Sequence, residues 1–493
     1  MRLWNIGVCL TLLFVPRALH AYEAQVNASV DAQFYTLRSP YGDPVLRRRR
    51  YTQTLGVSVY GIGGDTGKDS PALTFRARMR LDADFGQDGR ERDPENGQRY
   101  IPGLEQTPLD LMYAYLEGQD YAGGLVDFRL GRQYTTDALG FWSFDGALVG
   151  ITTPIFVRAE LFAGFEQRGG LPLSTPRWEA DGVYRGDRSD LDFNQWPSFL
   201  EQQKLAPAYG FALESAGVHW LASRLSYRKV ISRDTVLVSP FADPGGGFTT
   251  VGGARVASER IGYAIRVSES SLGSLSGNVV YDFYNQTVSE YLASLDWYTT
   301  EALTLGAQYE YYLPTYDADS IWNWFSRQGM TTALARGALD ITRDLDVSAS
   351  AGVRQFSTDG DPSSDATDAD RSESAQLLDG LFTATARYGW PSGGVSLRGL
   401  AEAGERGHRM GGDLTTTQTF AGGFYDTLVL LSLYDWADSL RPQRDATSFS
   451  YVIGGGVNPF EQTRFGVEWE HDINRLVGQR YRVLATLDFT VLD

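Results

Sequence analysis

The sequence predicts a single all-β architecture, a transmembrane antiparallel β-barrel. An export signal comes first, later segments alternate apolar and polar residues over membrane-spanning lengths, and no linker divides the chain into domains. Because bacterial barrels have even strand numbers, the predicted number is about 22, within a range of about 18–22. Strand character begins near Val26, so no N-terminal plug domain is expected.

Residues 1–21 are predicted to form a cleavable signal peptide. A short positive start precedes an apolar stretch over residues 6–15, and Ala21 precedes the expected cleavage site. The apolar stretch is too short to cross a bilayer as a helix. The single cysteine, Cys9, lies within it, so the predicted barrel, residues 22–493, is expected to contain neither disulfides nor cysteine-ligated metals.

Period-two alternation is the main evidence for strands. In segment 75–85 one face is apolar, and the other carries Arg76, Arg78, Arg80, Asp82 and Asp84. Successive side chains of a strand point to opposite faces, so such a strand is apolar on one side and ionic on the other. Its length suits a tilted membrane crossing better than a soluble sheet. The alternation recurs in segments 126–130, 157–165, 261–267, 303–311, 345–353, 382–388, 465–469 and 481–491.

Turn lengths predict the orientation of the barrel. Short turns near 299–301, 342–344 and 391–394 are expected in the periplasm, together with both termini. Longer polar stretches are expected to form extracellular loops near 86–108, 167–207, 231–250, 314–328, 357–375 and 405–414. Two weaker strands, near 208–217 and 415–422, are needed to keep turns and loops alternating.

Two segments resemble known porins. Residues 481–491 resemble the terminal strand that the outer-membrane assembly machinery recognises, although Asp493 stands where porins usually end in Phe. Segment 128–133, with Arg129, Gly131 and Arg132, resembles the R-x-G-R-Q element of alginate-export and anion-selective porins. The resemblance implies a Gram-negative outer-membrane β-barrel porin, located in the bacterial outer membrane.

Sequence motifs for catalysis are absent. After the signal peptide the histidines are His219, His408 and His471, each isolated, and no nucleophile elbow, zinc-type histidine pair or phosphate loop occurs. We therefore expect no enzymatic activity, cofactor or metal. An outer-membrane hydrolase with dispersed catalytic residues is the enzymatic alternative.

The charged strand faces are expected to line the lumen, because an arginine facing lipid at the midplane would cost about 2–4 kcal/mol. Guanidinium groups suit carboxylate, phosphate or sulfate anions. The alternative is that cross-strand pairs of arginine and carboxylate brace the wall. The predicted pore-lining residues are Arg76, Arg78, Arg80, Asp82, Asp84, Arg129, Arg158, Glu160, Arg266, Arg336, Arg354, Arg387, Arg464 and Arg482.

These features predict an outer-membrane channel for hydrophilic solutes, anionic or saccharide-type, by diffusion or export. The alternative is a barrel sleeve in a machine for polysaccharide export, motility or electron transfer through a separate cytochrome. Expected partners are outer-membrane lipid, lipopolysaccharide and the assembly machinery, with a periplasmic export protein or cytochrome for the sleeve, and no nucleic acid.

So wide a barrel without a plug implies that loop 86–108 or 167–207 folds inward, or that another protein fills the lumen. For loop 167–207 the alternative is a cap over the outer rim.

Overall fold

The computed structural model describes the chain from residue 23 to residue 492 with gaps. The described residues are 23–63, 71–84, 109–167, 205–233, 236–238, 249–251, 253–316, 329–357, 377–438, 445–476 and 478–492. The predicted signal peptide and most of the predicted long loops lie outside them.

Twenty-two antiparallel strands form one closed sheet. In chain order the strands are β1 (Glu23–Arg38), β2 (Pro44–Tyr60), β3 (Ala72–Asp84), β4 (Leu109–Asp120), β5 (Val126–Asp137), β6 (Gly140–Thr152), β7 (Val157–Glu166), β8 (Ala206–Ser215), β9 (Leu221–Ser232), the short hairpin of β10 (Val236–Val238) and β11 (Thr249–Val251), β12 (Arg255–Glu269), β13 (Gly273–Asp282), β14 (Thr287–Tyr298), β15 (Leu303–Tyr312), β16 (Gly329–Asp340), β17 (Leu345–Ser357), β18 (Leu377–Trp390), β19 (Gly393–Gly404), β20 (Gly407–Phe420), β21 (Tyr425–Asp438), β22 (Ala446–Phe460), β23 (Thr463–Asn474) and β24 (Gly478–Leu492). Short helical turns occur at Tyr121–Gly124 and Ala421–Gly423.

The sheet closes on itself because its first and last strands pair. Strand β24 pairs with β1 from Leu492 opposite Gln25 to Gln479 opposite Arg38, and β9 pairs with β12 past the short hairpin. Every other barrel strand pairs with its neighbours in sequence. The predicted closed antiparallel barrel, its even strand number and the value of 22 are confirmed.

The two faces of the wall differ in chemistry. Large apolar side chains such as Val149, Leu161 and Leu305 are exposed on one face, and the arginine–carboxylate pairs described below lie on the other. Backbone groups cannot face hydrocarbon unpaired, and a closed barrel satisfies them all. The apolar face is therefore the lipid-facing surface and the charged face lines the lumen, which confirms the prediction of an outer-membrane β-barrel. No helix in the described ranges is both long and apolar enough to span a bilayer.

Connection lengths separate the two ends of the barrel. The end that carries the start of β1 and the end of β24 has short connections, including 153–156, 216–220, 270–272, 299–302, 341–344, 391–392, 421–424 and 461–462. The longest intervals, 85–108, 167–205, 313–328 and 358–376, join strands at the opposite end. This sidedness is typical of outer-membrane barrels with periplasmic turns.

One predicted loop is wrong. Residues 405–414 belong to a hairpin whose turn is Glu405 and Arg406, and β20 begins at Gly407. Positions of β20 that share a face with the exposed Met410 include Gly412 and Thr416, so its apolar alternation is weak. The weak strands predicted near 208–217 and 415–422 are present as β8 and the second half of β20.

Candidate functional site

The hairpin of β5 and β6 leaves the barrel wall. Strand β4 pairs with β5 only as far as Arg132, and β6 pairs with β7 only as far as Phe144. Strands β5 and β6 nevertheless stay paired with each other up to their turn. Among the described residues, 133–143 therefore form a hairpin that pairs with neither neighbouring strand, apart from a backbone hydrogen bond from Gln167 N to the Ser143 oxygen at 3.0 Å. We call it the inner hairpin.

A row of glycines crosses the sheet where the inner hairpin begins. Gly131 lies opposite Gly146, which lies opposite Gly164 on β7. Gly131 has a φ of +124°, and a Cβ there would lie 2.3 Å from the backbone oxygen of Ala114. A Cβ on Gly146 would lie 2.2 Å from the oxygen of Ala163. Only glycine permits these approaches, so the sheet bends at this row.

One face of the inner hairpin packs against the inside of the wall. The rings of Trp142 and Phe144 stack with centroids 4.3 Å apart and contact Phe162 of β7. Phe144 is fully buried, and burying such a ring contributes about 1.5–3 kcal/mol. These rings join a buried cluster that includes Leu148, Ala206, Ala208, Val230 and Ala257.

The tip of the inner hairpin reaches β12. A Cβ built on Gly262 would lie 2.9 Å from Leu139 Cδ2 and 3.1 Å from Ala138 Cβ. Gly262 faces the lumen, since its neighbour Tyr263 is exposed on the outer face. Arg228 of β9 donates from Nη2 to the Leu139 oxygen at 3.2 Å. Six extended residues span about 20 Å, and four strand spacings amount to about 19 Å, so the hairpin length matches the step from β6 past β7, β8 and β9 to β12.

The other face of the inner hairpin points away from the wall, towards the inside of the barrel. Tyr134 stacks on Phe141 with centroids 5.6 Å apart and contacts Tyr113 of β4 at 5.8 Å. Tyr113 lies on the charged face of the wall, because it is directly opposite Arg78. In a straight strand Tyr134 would share the lipid face with Leu130; the bend at the glycines moves it inside.

The segment that resembles the porin element braces the root of the inner hairpin. Arg132 forms a two-pronged pair with Asp145, at 2.7 Å from Nε and 2.9 Å from Nη2, and donates from Nη1 to the Leu111 oxygen at 3.0 Å. Gln133 is fully buried and donates to the Gly146 oxygen at 3.1 Å. In this chain the element therefore fixes the place where the hairpin turns inward.

A cavity of about 360 Å³ lies between the hairpin tip and the facing wall. Two of its donors are engaged: Arg260 donates to Asp282 at 3.1 Å, and Asn278 donates to Glu290 at 2.6 Å. The lining contains both signs of charge and includes Asp137, Leu139, Arg260, Asn278, Glu290, Tyr312 and Thr315. The tip of the inner hairpin thus lies close to β12–β15, and the cavity separates part of the tip from these strands.

The predicted pore-lining arginines of β3 and β5 lie at the root of the inner hairpin. Glu117 accepts two of them, with Arg129 Nε at 2.7 Å and Arg76 Nε at 3.7 Å. Arg78 donates to a threonine hydroxyl at 3.3 Å, and within the described ranges it has no carboxylate partner. Two arginines therefore share Glu117, and the neighbouring Arg78 is bonded to a hydroxyl, which leaves a local excess of positive charge.

Arg80, Asp82 and Asp84 are the remaining predicted pore-lining residues of β3. Arg80 is buried and pairs with Asp110 at 3.6 Å. Asp82 and Asp84 lie opposite Thr52 and Arg50 in the backbone register, and their side chains lie outside the described part of the chain.

A five-residue ionic network joins β5, β7, β8 and β9. Arg158 lies 3.2 Å from Asp127, 3.3 Å from Glu160 and 3.5 Å from Glu214. Arg224 lies 2.5 Å from both Glu160 and Glu214. The ion pairs between these two arginines and three carboxylates therefore connect four strands of the wall.

The remaining predicted arginines lie around the rest of the barrel, and most are paired. Arg266 is exposed and has no ion pair among the described residues. The pairs are Arg336–Asp296 at 2.8 Å, Arg354–Glu402 at 2.8 Å, Arg464–Asp426 at 2.8 Å, Arg387–Asp346 at 3.8 Å, and Arg482–Glu470. The structure therefore spreads the predicted residues over the wall, and brings together only those near the root of the inner hairpin and those of the ionic network.

The inner hairpin is the feature that sequence reasoning missed. Loops 86–108 and 167–207, one of which is expected to fold inward unless another protein fills the lumen, lie outside the described residues except at their edges, so this stays a prediction. The sequence does contain one indication of the hairpin. Trp142, Phe144 and Leu148 lie at alternate positions from Val149, so these large apolar residues fall on the strand face that should line the lumen and be polar. Within the described ranges, no group of three or more potential metal ligands is found.

Comparisons with known proteins find distant matches among solved structures. No protein-family model matches the chain, and no curated protein matches it significantly. OccAB1 of Acinetobacter baumannii is 10% identical, with 95% of this chain and 96% of that chain covered and a TM-score of 0.42. OccK9 (OpdG) of Pseudomonas aeruginosa is 7% identical over 96% of this chain and 99% of that chain, with a TM-score of 0.43. OpdK of Pseudomonas aeruginosa, crystallised with vanillate, is 9% identical over 95% and 99%, with a TM-score of 0.41.

Proposed function

We propose that the chain is an outer-membrane channel that passes small hydrophilic solutes through a lumen narrowed by the inner hairpin. The observation that carries the proposal is the closed ring of 22 strands with an apolar outside and an ionic inside. At a spacing of about 4.8 Å and a tilt of about 40°, 22 strands give a backbone diameter of about 44 Å. Wall side chains alone do not fill so wide a barrel.

The proposed solutes are anionic or saccharide-type. Anion preference is supported by the excess of arginine at the root of the inner hairpin, where Arg76 and Arg129 share Glu117 and Arg78 is bonded to the Thr54 hydroxyl. Fixed charges act most strongly where a pore is narrow, because a passing ion meets them at short range and with incomplete screening. Elsewhere the proposed pore-lining arginines are mostly paired, so the preference should arise mainly near this hairpin.

A channel is favoured over a hydrolase. His408 pairs with Asp435 at 2.9 Å between Nε2 and Oδ2, but the Thr447 hydroxyl donates to Asp435 and not to the imidazole. Among the described residues, no serine or threonine hydroxyl contacts His408. This pair therefore lacks an activated nucleophile.

Conductance and reversal potential in a planar bilayer test the proposal. Purified barrels whose migration on a gel is heat-modifiable should give discrete current steps, and a KCl gradient should give a reversal potential on the anion-selective side. Replacing Arg76, Arg78 and Arg80 together with Ser should move the selectivity towards cations. Silent but correctly inserted barrels would contradict the channel and favour a sleeve filled by a partner.

A further inference from the structure

Four aromatic rings follow one another from the wall onto the lumen face of the inner hairpin. We call them the ring strip: Tyr115, Tyr113, Tyr134 and Phe141. Successive ring centroids are 5.8, 5.8 and 5.6 Å apart. Tyr134 and Phe141, at the far end, are 41% and 48% exposed, so both side chains are accessible to a solute.

The exposed end of the ring strip does not serve to pack the hairpin. That role belongs to the opposite face, where Trp142 and Phe144 enter the buried cluster. Tyr134 and Phe141 instead present apolar surface to a water-filled passage, which is unfavourable until another apolar surface covers it. A solute with a flat apolar face would cover it.

Paired charges flank the ring strip. The Arg132–Asp145 pair lies at the root of the same hairpin, with side chains 27% and 45% exposed, and Arg80 pairs with Asp110 on the adjoining wall. Both pairs carry no net charge, and the exposed Arg132–Asp145 pair offers a hydrogen-bond donor beside an acceptor. Such a pair suits a hydroxyl group, which donates and accepts at once, better than it suits an inorganic anion.

We propose that the ring strip is a binding track for saccharide rings, an inference that rests on the proposed channel function and specifies its solute class. A pyranose ring has an apolar face of C–H groups and a rim of hydroxyls. The aromatic rings contact the face, and the Arg132–Asp145 pair bonds the rim. The near-constant spacing of Tyr113, Tyr134 and Phe141 allows consecutive units of a linear oligosaccharide to stack along the track, whereas Tyr115 is buried beside Arg129 and joins the strip to the wall. Inorganic anions and acyclic polyols lack the flat face that the rings require.

Calorimetric titration of the detergent-solubilised full chain with maltohexaose measures the binding directly. The wild type should bind maltohexaose and should not bind sorbitol, an acyclic polyol. Replacing Tyr134→Ala and Phe141→Ala together should weaken binding by roughly tenfold or more. The single variant Tyr134→Phe keeps both rings and should retain most of the wild-type affinity. Tyr209→Ala, which removes an exposed tyrosine from the lipid face, is the matched control and should leave the affinity unchanged.

Current recordings on the same preparations separate this inference from the channel proposal. Transient blockages by maltohexaose that shorten in the double alanine variant would support both. A conducting wild type that does not bind maltohexaose, or binds it equally well without the two rings, would overturn the track and leave the channel. Ring-dependent binding in a silent barrel would overturn the channel and retain the binding site.

Discussion

Removing the inner hairpin should raise the conductance of the channel. The proposed variant replaces residues 133–144 with Asn-Gly. Arg132 and Asp145 lie directly opposite each other and already form an ion pair, so a two-residue turn can close the shortened hairpin between them. The lipid face of the remaining wall is untouched, and the barrel should therefore still insert.

The size of the increase follows from the area that the hairpin covers. Twenty-two tilted strands give a backbone radius of about 22 Å, and side chains reduce the open radius to roughly 17 Å, an area of about 900 Å². A two-stranded hairpin about 10 Å wide and about 20 Å long covers about 200 Å². If conductance follows the open area, its removal should raise the conductance about 1.3-fold, and by more if the hairpin lies at the narrowest level.

Single-channel recording in 1 M KCl is the appropriate assay, because at about this salt concentration the Debye length is only about 3 Å and fixed charges are screened. A control variant shortens the turn 283–286, at the same end of the barrel, to Asn-Gly and should leave the conductance unchanged. An unchanged or smaller conductance in the hairpin variant, with heat-modifiable migration intact, would refute the claim that the hairpin narrows the lumen.

Three further variants test the hinge, the charge excess and the ionic network. Gly131→Val forces a side chain into a left-handed conformation and against the neighbouring strand, and should destabilise the barrel by at least about 2 kcal/mol in urea unfolding; equal stability would contradict the hinge. Arg78→Ser should shift the reversal potential towards cations, more at low salt than at high salt, whereas Arg78→Lys should not; a shift independent of salt would point to altered structure. Arg224→Met leaves Glu160 and Glu214 with one arginine between them and should cost roughly 1–3 kcal/mol of unfolding free energy, and an unchanged urea midpoint would mean that the network does not brace the wall.

The architecture was predictable because its information is local. Each strand carries its own alternation of apolar and polar residues, and lipid on one side with water on the other imposes that alternation independently of distant residues. Strand β20 shows the limit, since Gly412 and Thr416 at lipid-facing positions nearly erase the signal. The alternation implied a closed barrel, and the pairing of β1 with β24 closes it.

The inner hairpin was not predictable in the same way. The parity of Trp142 and Phe144 indicates an apolar inner face but not a bend. The bend depends on Gly131, Gly146 and Gly164 falling in one row, which requires the register of three strands. The arginine–carboxylate partnerships depend on register too. The sequence placed Arg78 and Arg129 on the charged face, but it did not indicate that Arg129 pairs with Glu117 and that Arg78 lacks a carboxylate partner in the described structure.

A designed disulfide tests most directly whether the inner hairpin lies inside the lumen against β12. A Cβ on Gly262 would lie 3.1 Å from Ala138 Cβ, so a shift of about half an ångström reaches the usual Cβ separation of a disulfide, about 3.5–4.5 Å. Ala138→Cys with Gly262→Cys should therefore cross-link on oxidation in intact outer membranes and leave the conductance unchanged. Ala138→Cys with Tyr263→Cys, whose second cysteine faces lipid, should not cross-link. Failure of the first pair to cross-link, or equal cross-linking by the second, would contradict the inward position of the hairpin.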